Sequence, residues 1–162
     1  MENHSTQDSR QTGRLTAINR SNGGHLKSQV NEALITESGV EGDRQADQAR
    51  HGGVDRAVTL YSLELIQALA SEGHSIQSGT LGENLTIAGL DWSRIVPGVE
   101  VLVGQVRLRI TTYATPCNNV KDAFADGNSS RIAQKLHPGW SRACARVLAG
   151  GTVSVGDPVV LL

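Results

Sequence analysis

Short apolar runs, each ended by a glycine turn after a few residues, limit what this chain can fold into more than any other feature. Residues 14–18, 33–35, 57–61, 85–87, 100–103, 106–112, 143–148, 153–155 and 158–162 carry the branched and alternating pattern of strands. Helical spacing is clear in one place, where Ser62 can cap a run with Leu63, Ile66, Leu69 and Ala70 that stops at Gly73. Two short helices are expected near the C-terminal end, over 118–125 and 130–136, separated by Asp126, Gly127 and Asn128. Many strands with few helices favour a closed barrel or a sandwich over a doubly wound sheet. Arg107 and Arg109 alternate with Val106, Leu108 and Ile110, so both project from one face of a strand, toward solvent or the wall of a polar pocket.

The remaining sequence is connection. A flexible tail is expected over 1–13, followed by a single domain over 14–162, with an extended stretch at 27–37 and turns at 19–24 and 39–43. Residues 44–55 are too polar for a core element and read as a loop, as do 79–84. A chain of 162 residues can bury a substantial core without staples. With a net charge of −1 and its basic residues scattered, nucleic acid is not an expected partner. No apolar run is long enough for a membrane helix and residues 1–14 lack a signal-peptide core, so a cytoplasmic protein without membrane contact is expected. Cys117 and Cys144 fit neither Cys-x-x-Cys nor a zinc spacing, so neither a disulfide nor zinc is expected. His4, His74 and His137 are isolated and read as surface residues, while Trp92 and Trp140 lie beside turns and suit the covering of barrel ends.

Cys117 holds the position with the most chemical promise. It follows Pro116, which ends a strand, and precedes Asn118 and Asn119, which can cap a helix. A thiol between a strand end and a helix start can be favoured as the thiolate, the form that binds soft metals and carries sulfur. A small buried cysteine filling a core gap is the competing interpretation. Cys144, inside an apolar run, reads as a core thiol.

Taken together, Gly42-Asp43-Arg44, His51-Gly52-Gly53 with Asp55, Gly82-Glu83-Asn84-Leu85, Pro116-Cys117, Ala145-Arg146-Val147 and Gly156-Asp157 occur in the order and rough spacing of the MOSC domain. That domain is named for the C-terminal part of molybdenum cofactor sulfurase, and the chain resembles its small stand-alone bacterial members from about residue 13 to the end. The resemblance implies a mainly β fold, a closed barrel like the pyruvate kinase β-barrel domain, with a few short peripheral helices. It also implies binding of molybdenum cofactor, a pterin dithiolene with a terminal phosphate.

By the same resemblance Cys117 is the metal ligand or the carrier of a persulfide sulfur, and the expected activity is reduction of N-hydroxylated compounds or sulfur handling. Arg44, His51, Gly52 and Gly53 are candidates to hold the phosphate and pterin edge, or else simply form a turn in which Arg44 pairs with Asp43 or Asp47. Asn84 offers a donor and an acceptor to a heterocycle, or bonds its own loop. Arg146 is a further cofactor-binding candidate, or part of a structural ion pair in company with Asp157. Lys27 is a weaker candidate for the phosphate. No lysine is set for a pyridoxal phosphate Schiff base, and the chain lacks the aminotransferase-like domain of the full sulfurase and the N-terminal β domain of the amidoxime-reducing relatives. Expected partners are a small-molecule cofactor and substrate, with an electron-donor or sulfur-donor protein. A non-catalytic cofactor carrier or storage protein, and a barrel with a degenerate site, are the alternatives.

Overall fold

The computed structural model describes residues 10–21, 28–43, 53–116 and 118–162. Its strands are β1 (Gln11–Arg20), β2 (Ser28–Val30), β3 (Glu32–Thr36), β4 (Gly39–Val40), β5 (Val58–Ser62), β6 (Leu85–Ala88), β7 (Glu100–Val103), β8 (Val106–Tyr113), β9 (Ala143–Ala149), β10 (Gly151–Ser154) and β11 (Pro158–Leu161). Seven of them close a ring in the order β11, β7, β8, β9, β5, β6, β1 and back to β11, with β2 added alongside β1. A smaller sheet of β10, β3 and β4 leans on this barrel. The sequence left barrel and sandwich open; pairing of β1 with β11, from Gln11 opposite Leu161 to Arg14 opposite Pro158, makes it a barrel.

Every neighbouring pair in the ring is antiparallel except β5 with β6, which run parallel. Parallel neighbours need a crossover, and helix α1 (Leu63–Ser71) begins it. Ser62 caps that helix as expected, its hydroxyl accepting from the Leu65 amide at 3.2 Å, and Ile66 and Leu69 form the buried stripe.

The core is set by alternation. On β8, Val106, Leu108 and Ile110 point inward and are fully buried, while Arg107 and Arg109 face outward. Arg107 bonds Glu100 on β7 at 2.7 Å, so this face is solvent and not a pocket wall. Where β1 crosses β6 a side chain would not fit: a Cβ on Gly13 would stand 2.2 Å from the Ala88 carbonyl oxygen. Tyr61 lies in the centre of the core, its ring edge-on to Trp92 and its hydroxyl donating to the Trp140 carbonyl at 2.7 Å. Trp92 donates its own N–H to the Ser141 carbonyl at 2.8 Å, which fastens the 140–141 segment over one end.

Several boundaries differ from the expectation. β1 starts at Gln11, inside the expected tail, because the closing partner β11 pairs with it that far. The stretch at 27–37 splits into β2 and β3, with a bend at Asn31. Gly39 and Val40, expected in a turn, form β4 against β3. The helix expected over 118–125 is α2 (Asn118–Lys121), followed by turns. Its continuation is spent on neighbours instead: the Ser75 amide donates to the Ala123 carbonyl at 3.0 Å, and the Ala125 amide donates to Nδ1 of His74 at 3.0 Å. His74, expected on the surface, therefore packs under this turn with its ring against Phe124. The helix expected over 130–136 is a single 3-10 turn, Ser129–Ile132, held by a double bond of Arg131 to Glu72 and by stacking of Arg131 on Trp140 at 3.9 Å.

Replacing Tyr61 by Phe removes the hydroxyl but leaves the Trp140 carbonyl without that donor. Urea unfolding of Tyr61→Phe should show a loss of about 1–2 kcal/mol, with the barrel intact by circular dichroism.

Candidate functional site

Three of the motif segments meet at one end of the barrel through buried polar side chains. Asn84 is 1% exposed, and its side chain ties together strands and loop. Its Oδ1 accepts from the Thr59 amide at 3.0 Å, and its Nδ2 donates to the Asn19 carbonyl at 3.3 Å and to Oδ2 of Asp43 at 3.0 Å. Its backbone joins the same elements, with the Asn84 amide on the Thr59 carbonyl at 2.8 Å and the Asn19 amide on the Asn84 carbonyl at 2.7 Å. Asp43 also accepts from the Ser21 amide at 2.7 Å. The Gly42-Asp43 segment is thus fixed against β1, β5 and the loop before β6.

On the other side of the loop, Arg142 is 7% exposed. Its Nη1 donates to the Leu81 carbonyl at 2.7 Å and its Nη2 to the Thr115 carbonyl at 3.4 Å. Between these tethers Gly82 adopts φ +84, a conformation that side-chain-bearing residues rarely take. Glu83 lies wholly buried beside it, its Oε2 accepting from the Thr86 hydroxyl at 3.2 Å, while Thr86 accepts in turn from the Asn19 side-chain amide at 3.1 Å. Glu83 Oε1 and Asn19 Oδ1 have no hydrogen-bond partner among the described residues. Burial lifts the Glu83 carboxyl from the ordinary 4.5 to about 7, against the opposing pull of the Gly79 and Glu83 amides, the Thr86 hydroxyl and the Arg142 charge.

The residues expected to bind cofactor fall unevenly on this geometry. Cys117, Arg44, His51, Gly52 and Lys27 lie outside the described residues; their neighbours Asp43, Gly53 and Pro116 lie within them. Gly53 has φ +97 and leads into the 3-10 turn Val54–Arg56, which rests on β9 and β8 through the Thr111 hydroxyl and the Asp55 carbonyl. Asn84 spends its amide inside the protein and bears on the loop through Asp43, a scaffold role where a contact to the heterocycle was one expectation. Arg146 points outward from β9, half exposed, 3.7 Å from Asp55. Its ion pair is therefore with Asp55, while Asp157 instead accepts from the Ser154 amide at 2.9 Å.

Arg142 has no motif neighbourhood of the kind that makes Arg146 a candidate, and sequence reasoning missed it. The signal available was the place of Arg142, just before an apolar run and beside Ser141, where a charge has to find bonds. Glu83, Asn19 and Thr86 were also missed as members of a network. Cys144 is the core thiol expected, 4% exposed, and burial pushes its pKa up. Among the described residues no group of three His, Cys, Asp or Glu side chains is placed to hold a metal. No helix among them is long and apolar enough to cross a membrane.

Comparison with known proteins adds the family. The family model for the MOSC domain matches residues 47–160. Protein YiiM of Escherichia coli K12 is 30% identical over 136 residues, covering 81% of this chain and 59% of YiiM. The uncharacterised protein YflK of Bacillus subtilis 168 is 30% identical over 130 residues, covering 80% of this chain and 58% of YflK. The chain therefore spans less than two thirds of these relatives. Among solved structures, a hypothetical protein superposes with a TM-score of 0.76 at 28% identity, over 93% of this chain and 69% of its own. YiiM from Escherichia coli superposes with a TM-score of 0.69 at 25% identity, over 92% and 69%. The chain belongs to the MOSC domain family, a family tied to molybdenum cofactor.

The raised carboxyl of Glu83 fixes the sign of a pH effect. Between pH 4.5 and about 7 the folded chain holds a proton that the unfolded chain has shed, so this group's contribution to stability falls as pH rises through that window and is lost above it. Glu83→Gln keeps the shape and cannot ionise. Its unfolding free energy relative to the parent should rise from pH 5 to pH 8 in urea titrations; parallel pH profiles would refute the assignment.

Proposed function

We propose that this chain binds molybdenum cofactor at the end of the barrel where the motif segments meet, with Cys117 as the protein's thiolate to the metal or as carrier of a transferable sulfur. The observation that carries this proposal is the pair of tethers, Asn84 to Asp43 and Arg142 to Leu81 and Thr115, which gather the residues flanking Arg44, Glu83 and Cys117. The groups present suit such a ligand. Asn19 Oδ1 and Glu83 Oε1 are buried acceptors in need of donors, and a pterin edge is rich in N–H groups. A dithiolene brings sulfur donors of its own, so the metal asks one soft ligand of the protein.

In this proposal Arg44 and His51 hold the phosphate and pterin edge, helped by the backbone of Gly52 and Gly53. Asn84 holds Asp43, and so the start of the Arg44 segment, in place. Arg146 has no direct part. When bound, the cofactor supplies two-electron redox chemistry. The reaction we favour is reduction of an N-hydroxylated compound: the N–O bond breaks, two electrons arrive from an external donor protein, and two protons complete the amine and water. Sulfur carriage at the same thiol, with a sulfur-donor protein, is the other use of the site, and a cofactor carrier would bind without turnover.

Protein purified anaerobically from cells that make the cofactor, assayed for molybdenum and pterin and then for turnover of a hydroxylamine, tests this directly. Cys117→Ser should lose molybdenum or sulfane sulfur while keeping its fold, and equal metal content in variant and parent would refute the ligand role. In the apo protein near neutral pH, alkylation should reach Cys117 well before Cys144, whose thiol is buried and of raised pKa, and cofactor loading should protect it. Faster labelling of Cys144 would count against the assignment.

A further inference from the structure

The segment after Cys117 is a poor anchor for a reactive residue. α2 has four residues, too few to fix its own start, and the chain beyond it is turns. What holds the segment before Cys117 is Arg142. Its carbonyl accepts from the Ala114 amide at 3.0 Å, one bond beyond the Tyr113 and Ala143 pair that ends the β8 and β9 ladder. The neighbouring Ser141 hydroxyl is within 3.3 Å of the Ala114 carbonyl. The guanidinium then reaches Thr115 with one nitrogen and Leu81 with the other. A Cβ on Gly82 would stand 3.9 Å from Nη1, so Gly82 lies beside the guanidinium.

Burying an arginine is costly, and an apolar residue of similar length would fill the space. The planar fork does something such a residue cannot: two N–H vectors fixed at a set angle join two carbonyls from loops far apart in sequence. A lysine can satisfy one of them. The charge of Arg142 is also felt at Tyr61, Glu83 and Cys144.

We propose that Arg142 is the positioning residue of the site, bracing the 81–84 loop and the segment at Thr115 and Pro116, which precedes Cys117 in sequence, as one unit. This rests on the cofactor-binding proposal for the consequence of the brace, and on the apo protein alone for its existence. Three variants separate the roles: Arg142→Met keeps the volume, Arg142→Lys keeps the charge and one bond, and Cys117→Ser removes the ligand.

Amide hydrogen exchange on the apo proteins is the first readout. In Arg142→Met, segments 79–84 and 113–121 should lose protection together, while β7 and the first half of β8 stay as in the parent. Arg142→Lys should loosen one segment more than the other. Molybdenum and pterin loading is the second readout, expected to fall at least tenfold in Arg142→Met and by less in Arg142→Lys. Exchange confined to one segment in Arg142→Met would overturn the brace, and loading equal to that of a parent that does load would overturn its role at the site. If Arg142→Met does not accumulate folded, Arg142→Lys carries the same comparison, and parent-like exchange and loading in it overturn the proposal. Loss of the cofactor proposal would look different: Cys117→Ser would load like the parent, with the exchange pattern of the Arg142 variants unchanged.

Discussion

The buried amide of Asn84 is the interaction on which this end of the molecule depends. A backbone amide on β5, a carbonyl on β1 and a carboxylate on the loop after β4 all find partners in one side chain. A polar group shut away from water without a bond costs about 1–3 kcal/mol, and Asn19 and Asn84 are both almost wholly buried. Satisfying such groups together explains why the loop before β6 ends with residues that a core would ordinarily reject. Glu83, Asn84 and Thr86 are polar and buried where the ladder of β5, β6 and β1 reaches its end and the Asp43 loop joins it.

The two halves of the site are held by different physics. On the Asp43 side the holding groups are mostly neutral amides and a carboxylate at its periphery. On the Thr115 side the holding group is a buried cation. Glu83 lies between them with a carboxyl that is half ionised near neutrality, because no direct contact with Arg142 outweighs its burial. The result is a polar cluster with little net charge of its own, surrounded by apolar barrel walls such as Leu60, Leu81 and Leu85.

Much of the barrel was legible in the sequence because its strands alternate and its turns are marked by glycine. The run from Val106 to Ile110 is the clearest case, since inward valine, leucine and isoleucine alternate with arginines that can only face out. What was not legible depended on pairing between distant residues. Gln11 looks like tail until Leu161 lies beside it, and Gly39 and Val40 look like a turn until β3 pairs with them. The C-terminal helices shrank because His74 and Glu72, some 50 residues earlier, take up backbone and side-chain groups that the helices would have used. At the site, the motif residues on loops could be named from their order alone. Arg142 could not, since its place before an apolar run says only that the charge must find bonds, and the Leu81 and Thr115 carbonyls that it finds lie 61 and 27 residues away.

The pairing of β1 with β11 brings residues 11 and 161 side by side across one ladder. In the folded ring the two are neighbours as close as any hairpin pair, so the order in which the strands occur along the chain is one of several that would trace the same barrel. A tether of a few residues from 161 to 11 would make the covalent path circular, and a cut at the exposed turn around Gly98 would give the chain new ends without separating any of the strands that gather at Asn84. The architecture of the site is in that sense independent of where the polypeptide is opened.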